Sequence, residues 1–254
     1  MKKFLIRLIV FLLILLLGLA GFLGVRGYSG YREITSQTPV ETVVEQVQSS
    51  PTFVPYEDLP SDLIRATVSI EDRRFYEHGG IDYIGLARGT LSQVIPQLAQ
   101  SGGSTITQQV AKNLYGMFEQ TLDRKLVEMF IAKELESKYT KNQILALYVN
   151  IINYGDYHFG IYEASTGYFG VEPQYLTLAQ ASLLAGLPQS PGNYQLSDHF
   201  QQAKARQHQV LEAMAECSYI NESDIETIYA QDALIFVRPK LYHRYFKDIS
   251  NYTP

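Results

Sequence analysis

Three groups of residues in this chain have types and spacings that could do chemistry. In "SIEDRRFYEHGGID", residues 69–82, Glu71 and Asp72 adjoin and are followed closely by Arg73, Arg74 and His78. In "GGSTITQQVAKNLYG", residues 102–116, two Thr, one Ser, two Gln, a Lys and an Asn crowd one short run. In "TLDRKLVEMFIAKELE", residues 121–136, Arg124 and Lys125 fall four and three residues before Glu128, so all three can share one side of a helix. Carboxylates can move protons, and an ammonium beside uncharged hydrogen-bonding groups suits a polar, anionic ligand. Taken singly, each group has a plainer explanation. Glu71 and Asp72 could be a solvated helix end, Glu128 a surface ion pair worth tenths of a kcal/mol, and the polar run a solvated face.

These groups need elements to hold them. On a helix, Ile106, Val110 and Leu114 recur every four residues and share an apolar face. Ser104, Gln108 and Lys112 recur at the same spacing on the other side, presenting hydroxyl, amide and ammonium on successive turns. Gly102 and Gly103 free the backbone in front to approach a ligand, where first-turn N–H groups welcome an anion. In the third group Leu122, Leu126, Val127, Phe130, Ile131 and Leu135 form the stripe to be buried.

The order of the motifs carries more than any one of them. E-D-x-x-F-x-x-H-x-G at 71–80, G-x-S-T-I-T-Q-Q at 102–109, R-K-x-x-E at 124–128 and K-x-x-I-L-x-x-Y-x-N at 141–150 together resemble the motif series of peptidoglycan glycosyltransferases. This is the lipid II-polymerising domain found alone or at the front of bifunctional penicillin-binding proteins. The run "YGDYHFGIYEASTGYFG", with "LTLAQASLLAGLPQSPGNY" after it, extends the likeness, which covers roughly residues 52–216.

The resemblance implies roles. The growing strand is the donor, and the 4-hydroxyl of an incoming lipid II attacks its anomeric carbon with inversion, releasing polyprenyl diphosphate. Glu71 occupies the base position, and burial could bring its pKa near neutral for proton transfer. Lys112, Arg124 and Lys125 are the cations for the leaving diphosphate. Glu128 is the second catalytic carboxylate, orienting those cations or holding a divalent ion, Mg or Mn. Asp72, Phe75, His78, Ser104, Thr105, Gln108, Gln109 and Asn150 complete the substrate-binding set. One position departs from the pattern: many relatives carry Arg four residues before the Arg of R-K-x-x-E, where this chain has Gln120, with Asp123 beside Arg124. Val149 for the usual Leu is a mild apolar change. No S-x-x-K or K-T-G occurs, so the resemblance is to the monofunctional form. A lysozyme-like muramidase would use carboxylates but needs no cationic diphosphate site or anchor. A catalytically weak lipid II-binding scaffold is favoured only by Gln120.

The rest of the chain frames this domain. Phe4 to Val25 is apolar apart from Arg7 and a few Gly, long enough to cross a bilayer at about 20 residues. Lys2, Lys3 and Arg7 before its core predict a cytoplasmic N-terminus in a single-pass bacterial membrane protein, the domain outside. The apolar run exceeds the roughly 7–15 residues of a signal peptide's core, and Leu17-Gly18-Leu19-Ala20 is a poor cleavage site. Beyond Arg26 remain 17 basic and 26 acidic residues, net −9, which argues against nucleic acid as a partner. The single Cys217 gives neither a disulfide framework nor a metal cluster. The absence of Trp and the 19 Tyr supply aromatic groups with polar tips, which suits sugars.

The expected organisation is a cytoplasmic tip and anchor at 1–27, a polar stalk at 28–50, the glycosyltransferase domain at 51–216 and a C-terminal extension at 217–254. The expected fold is mainly α, a lysozyme-like large lobe with a small membrane-proximal jaw lobe, after one transmembrane helix. "TVVEQV" reads as a short strand, Ser61 as a helix cap, and residues 82–95 as an amphipathic helix stopping at Pro96. Thr140-x-x-Gln143 and Thr177-x-x-Gln180 read as capping boxes. Partners are lipid II, the growing strand, the membrane, and other cell-wall synthesis or division proteins.

Overall fold

The computed structural model describes residues 2–92 and 103–231. Gly102, the end of the helix expected at 93–95 with its Pro96, and most of the expected C-terminal extension lie outside the described residues. Helix α1 runs unbroken from Lys2 to Gln37. At 1.5 Å per residue that is about 54 Å. Its most apolar 18-residue window has a mean hydropathy of 3.0 with none of that window buried, so its first part has the length and composition to cross a bilayer.

Residues 28–37, expected as a polar stalk, continue this helix and pack on α6 (Leu122–Lys138). Glycines make the close approach: a Cβ on Gly27 would stand 2.7 Å from Leu126 Cβ, and one on Gly30 2.7 Å from Val127 Cγ2. Tyr28 and Tyr31 then close on Phe130, with centroids 5.7 and 5.9 Å away. Next comes a correction. "TVVEQV" is no strand but part of helix α2, Val40–Gln48. Val40, Val43, Val44 and Val47 recur at i, i+3, i+4 and i+7, a helical stripe whose burial outweighs the strand preference of valine.

The remaining helices are α3 (Ser61–Glu71), α4 (Tyr83–Ser92), α5 (Ile106–Leu114), α7 (Lys141–Ile151), α8 (Ile161–Phe169), α9 (Leu178–Gly186), α10 (Pro191–Tyr194), α11 (Phe200–Glu216) and α12 (Ile225–Tyr229). Ser61 is the first residue of α3, not its cap; Pro60 precedes it and no side chain caps this end. Thr140 and Thr177 do close capping boxes with Gln143 and Gln180. The mainly helical architecture expected from the sequence is present: the extended pairing among the described residues outside helices is one isolated bridge, Asn153 to Phe159.

Two apolar clusters hold the helices. The larger joins α2, α5, α6, α7 and α8 through residues such as Val44, Val110, Ile131, Leu145 and Phe169. The smaller joins α3, α9, α11 and α12 through Ile70, Ala185, Leu211, Met214 and Ile228. Of the stripe expected on α6, Val127, Ile131 and Leu135 are buried, Leu126 and Phe130 receive α1, and Leu122 is exposed. Glu71 thus ends a helix that joins both clusters, Leu63 and Val68 in the larger and Ala66 and Ile70 in the smaller, while α5 and α6 belong to the larger.

Candidate active site

Glu71 is the last residue of α3, and beyond it the backbone leaves the helix at Asp72. Gln109 on α5 donates from Nε2 to Glu71 Oε2 at 2.7 Å. Burial raises the Glu71 pKa. The Gln109 hydrogen bond and the charges of Arg206 and Lys112 act against that rise, and the Asp72 charge adds to it. The result is a carboxyl held above the ordinary carboxylate range, the direction a general base near neutral pH requires.

Lys112 follows Gln109 by three residues on the same helix, so both reach the same side. Burial lowers its pKa, Glu128 and Glu71 raise it, and Arg124 and Lys125 lower it. This ammonium therefore feels both carboxylates. Glu128 on α6 is only 2% exposed. Arg124 Nη1 and Lys125 Nζ each pair with one of its oxygens. Lys125 Nζ also donates to Ser104 Oγ at 2.7 Å, and Arg124 Nε to the Glu119 carbonyl at 2.8 Å. Two cations thus contact this carboxylate and a third, Lys112, feels its charge, leaving a local excess of positive charge, the environment a diphosphate would meet.

The other residues singled out in the sequence turn their polar groups towards the protein. The Asp72 carboxylate accepts from His78 Nε2 at 2.9 Å and from the Ile106 backbone N–H at 3.0 Å, pinning the start of α5 to the end of α3. Thr105 caps α5, with Gln108 completing the box through a 3.0 Å bond from the Thr105 N–H, and Thr105 Oγ1 donates to the Gly80 carbonyl at 2.6 Å. Gln108 is therefore buried at the cap rather than presented between Ser104 and Lys112 on an open face. Phe75 is fully buried in the larger cluster, under the Lys141 ammonium 4.3 Å from its centroid. Asn150 ties α7 to the Val54 backbone, accepting its N–H and donating to its carbonyl, both at 2.8 Å. Gln120 is exposed in the segment before α6, and Asp123 pairs with Arg26 of α1.

A metal held by Glu128 does not fit these residues. Both of its oxygens already face cations, and a divalent ion there would stand against an ammonium and a guanidinium. Among the described residues, no three His, Cys, Asp or Glu side chains form a group able to hold an ion.

Sequence reasoning missed Arg206 and Tyr148 as neighbours of Glu71; the charge of Glu71 acts on both. The signal was present. On α11, Ala203, Arg206, Gln207, Val210, Leu211 and Met214 follow the i, i+3, i+4 pattern, so an Arg occupies an apolar register.

Over residues 37–215 the chain matches the transglycosylase family. It is 38% identical over 190 residues to a Cupriavidus necator protein named for transglycosylase activity, covering 75% of this chain and 82% of the relative. It is 42% identical over 164 residues to penicillin-binding protein 1A of Neisseria gonorrhoeae, covering 65% of this chain but 21% of that longer protein. A crystal structure of penicillin-binding protein 1A from Haemophilus influenzae overlaps 57% of this chain and 19% of its own at 19% identity, with a TM-score of 0.35, too loose for a fold argument. The chain belongs to the transglycosylase family. That makes it a glycosyltransferase of peptidoglycan synthesis.

Proposed function

We propose that this protein polymerises lipid II into glycan strands at the outer face of the bacterial membrane, with the N-terminus of α1 in the cytoplasm. One observation carries this reading: α5 carries Gln109, bonded to Glu71, and Lys112 one turn later, while Ser104 just before α5 is bonded by Lys125 of the Glu128 cluster, so the carboxylate base and the cations share one site.

In the reaction, the 4-hydroxyl of the acceptor sugar gives its proton to Glu71 while its oxygen bonds to the anomeric carbon of the donor strand. The bond from that carbon to the diphosphate oxygen breaks on the opposite face, inverting the centre. Negative charge grows on the leaving polyprenyl diphosphate, where Lys112, Arg124 and Lys125 stabilise it. Glu128 holds Arg124 and Lys125 in place, and Ser104 holds the Lys125 ammonium from the other side. Gln109 orients the base. Asp72, His78, Thr105, Gln108, Phe75 and Asn150 act by fixing the helices that carry these groups. Lys2, Lys3 and Arg7 support the orientation, since basic residues favour the cytoplasmic side.

The test is the full chain in detergent with labelled lipid II. Wild type should yield glycan strands, and Glu71→Gln, which keeps the shape but removes the base, should cost about 10²–10⁴-fold in rate. Glu77→Gln, at an exposed neighbour, is the control and should match wild type. Near-normal polymerisation by Glu71→Gln would remove the basis of the reading.

A further inference from the structure

Arg206 lies on α11, outside the four motifs, and its burial needs an explanation. It is 9% exposed, on a helix face that also buries Gln207 and otherwise holds Ala203, Val210, Leu211, Ala213 and Met214. Its Nη1 donates to Gln209 at 2.8 Å, while its buried Nε has no hydrogen-bond partner among the described residues. Room for the side chain is made by Gly186 of α9, where a Cβ would stand 2.8 Å from Arg206 Cγ. A guanidinium taken out of water is costly unless a counter-charge faces it. Glu71 is the carboxylate whose charge acts on it among the described residues. Helices α3, α9 and α11 pack mutually, and Ile70, next to Glu71, shares the smaller cluster with Val210, one turn from Arg206, so the end of α3 lies near this part of α11.

We propose that Arg206 is a positioning residue for the polymerisation proposed above: packed into the notch at Gly186, its guanidinium supplies the counter-charge that keeps the buried Glu71 carboxylate able to accept a proton. The inference rests on that reading of Glu71 as the base. Among the described residues, the groups facing Glu71 come from four helices and one connecting segment. Gln109 and Lys112 come from α5, Asp72 from the end of α3, Arg206 from α11, and the Tyr148 and Tyr154 rings from α7 and the segment after it. Tyr148 brings a buried hydroxyl without a partner among the described residues, and α9 brings no charge. Of the two cations, Arg206 acts on Glu71 more strongly than Lys112. Lys112 is also shared with Glu128, whereas Glu71 is the one carboxylate whose charge reaches Arg206 among the described residues, without a direct ion pair.

The sign follows. A nearby cation favours the ionised carboxylate, so removing it raises the pKa of the base further. The acid limb of kcat/KM reports that pKa in the free enzyme. Measured on the full chain in detergent, Arg206→Gln should move this limb to higher pH by about one unit or more. Its activity should recover as pH is raised. Arg206→Lys, which keeps the charge, should leave the limb near its wild-type position. Gly186→Ala is the second variant: the charge stays but Arg206 is pushed from its notch, and the limb should again rise. A structural role alone would lower activity equally at all pH values.

Should Arg206→Gln not fold, Gly186→Ala decides, read by the limb and by titration of the 13C-labelled Glu71 carboxyl. An unmoved limb in whichever of the two variants is folded overturns the proposal while Glu71→Gln remains inactive. An active Glu71→Gln overturns the reading of Glu71 itself, and the inference with it.

Discussion

At the scale of single residues, the site is governed by what surrounds two carboxylates. Glu71 is desolvated with partial compensation, so its pKa rises. Glu128 is desolvated with two cations in contact. In the proposed reaction the same side-chain chemistry serves proton transfer in one place and charge organisation in the other. A pH prediction separates them. Burial holds the Lys112 pKa below that of a free lysine, and the Glu128 charge works against this. Glu128→Gln removes that support, so the Lys112 pKa should fall further and the alkaline limb of kcat/KM should move to lower pH. Glu71→Gln instead removes activity at every pH. An alkaline limb unchanged in Glu128→Gln would disconnect Lys112 from the cluster. The motifs made Glu71, Lys112 and Glu128 legible in the sequence, because types and spacing survive in one dimension. Arg206 showed only as an Arg in an apolar register; its nearness to Glu71 was not legible, because no local spacing joins α3 to α11.

At the scale of elements, the same four-residue signature does two jobs. Thr105-x-x-Gln108 and Thr140-x-x-Gln143 both close capping boxes, but the first was read as part of a ligand-binding face and the second as a cap. What differs is the surroundings: Thr105 is buried beside the Asp72 bond to Ile106, while Thr140 is exposed. Losing an N-cap costs about 0.5–2 kcal/mol. Thr140→Ala should therefore lower stability by about that much in urea unfolding, with polymerisation per folded molecule unchanged. Thr105→Ala should lower both, since it also frees the start of α5, which carries Gln109 and Lys112. Equal kcat for the two variants would mean that the cap does not position those groups. The helical identity of α2 was readable from the spacing of its four valines, but a window centred on "TVVEQV" omits Val40 and leaves residue preference to decide.

At the scale of the whole molecule, the apolar helix α1 and the helices of the proposed site pack together. Helix α1 passes beyond its apolar part and lies on α6, the helix carrying Arg124, Lys125 and Glu128. Arg26 reaches Asp123 at the start of α6, and Gly27 and Gly30 let the two backbones close. A flexible stalk would let the site drift relative to the lipid; a continuous helix packed on α6 fixes its height and tilt. Two truncations discriminate these arrangements. Deleting residues 2–24 removes apolar length but leaves Gly27, Gly30, Tyr31 and Ile34 against the domain. That protein should keep polymerising lipid II in detergent and lose affinity for liposomes. Deleting residues 2–37 also strips α6 of its cover, exposing Leu126 and Phe130. Burial of each large apolar side chain is worth about 1.5–3 kcal/mol, so thermal unfolding should come at a clearly lower temperature and detergent activity should fall. If both truncations melt alike and polymerise alike, the contact between α1 and α6 contributes nothing and the anchor is only a tether.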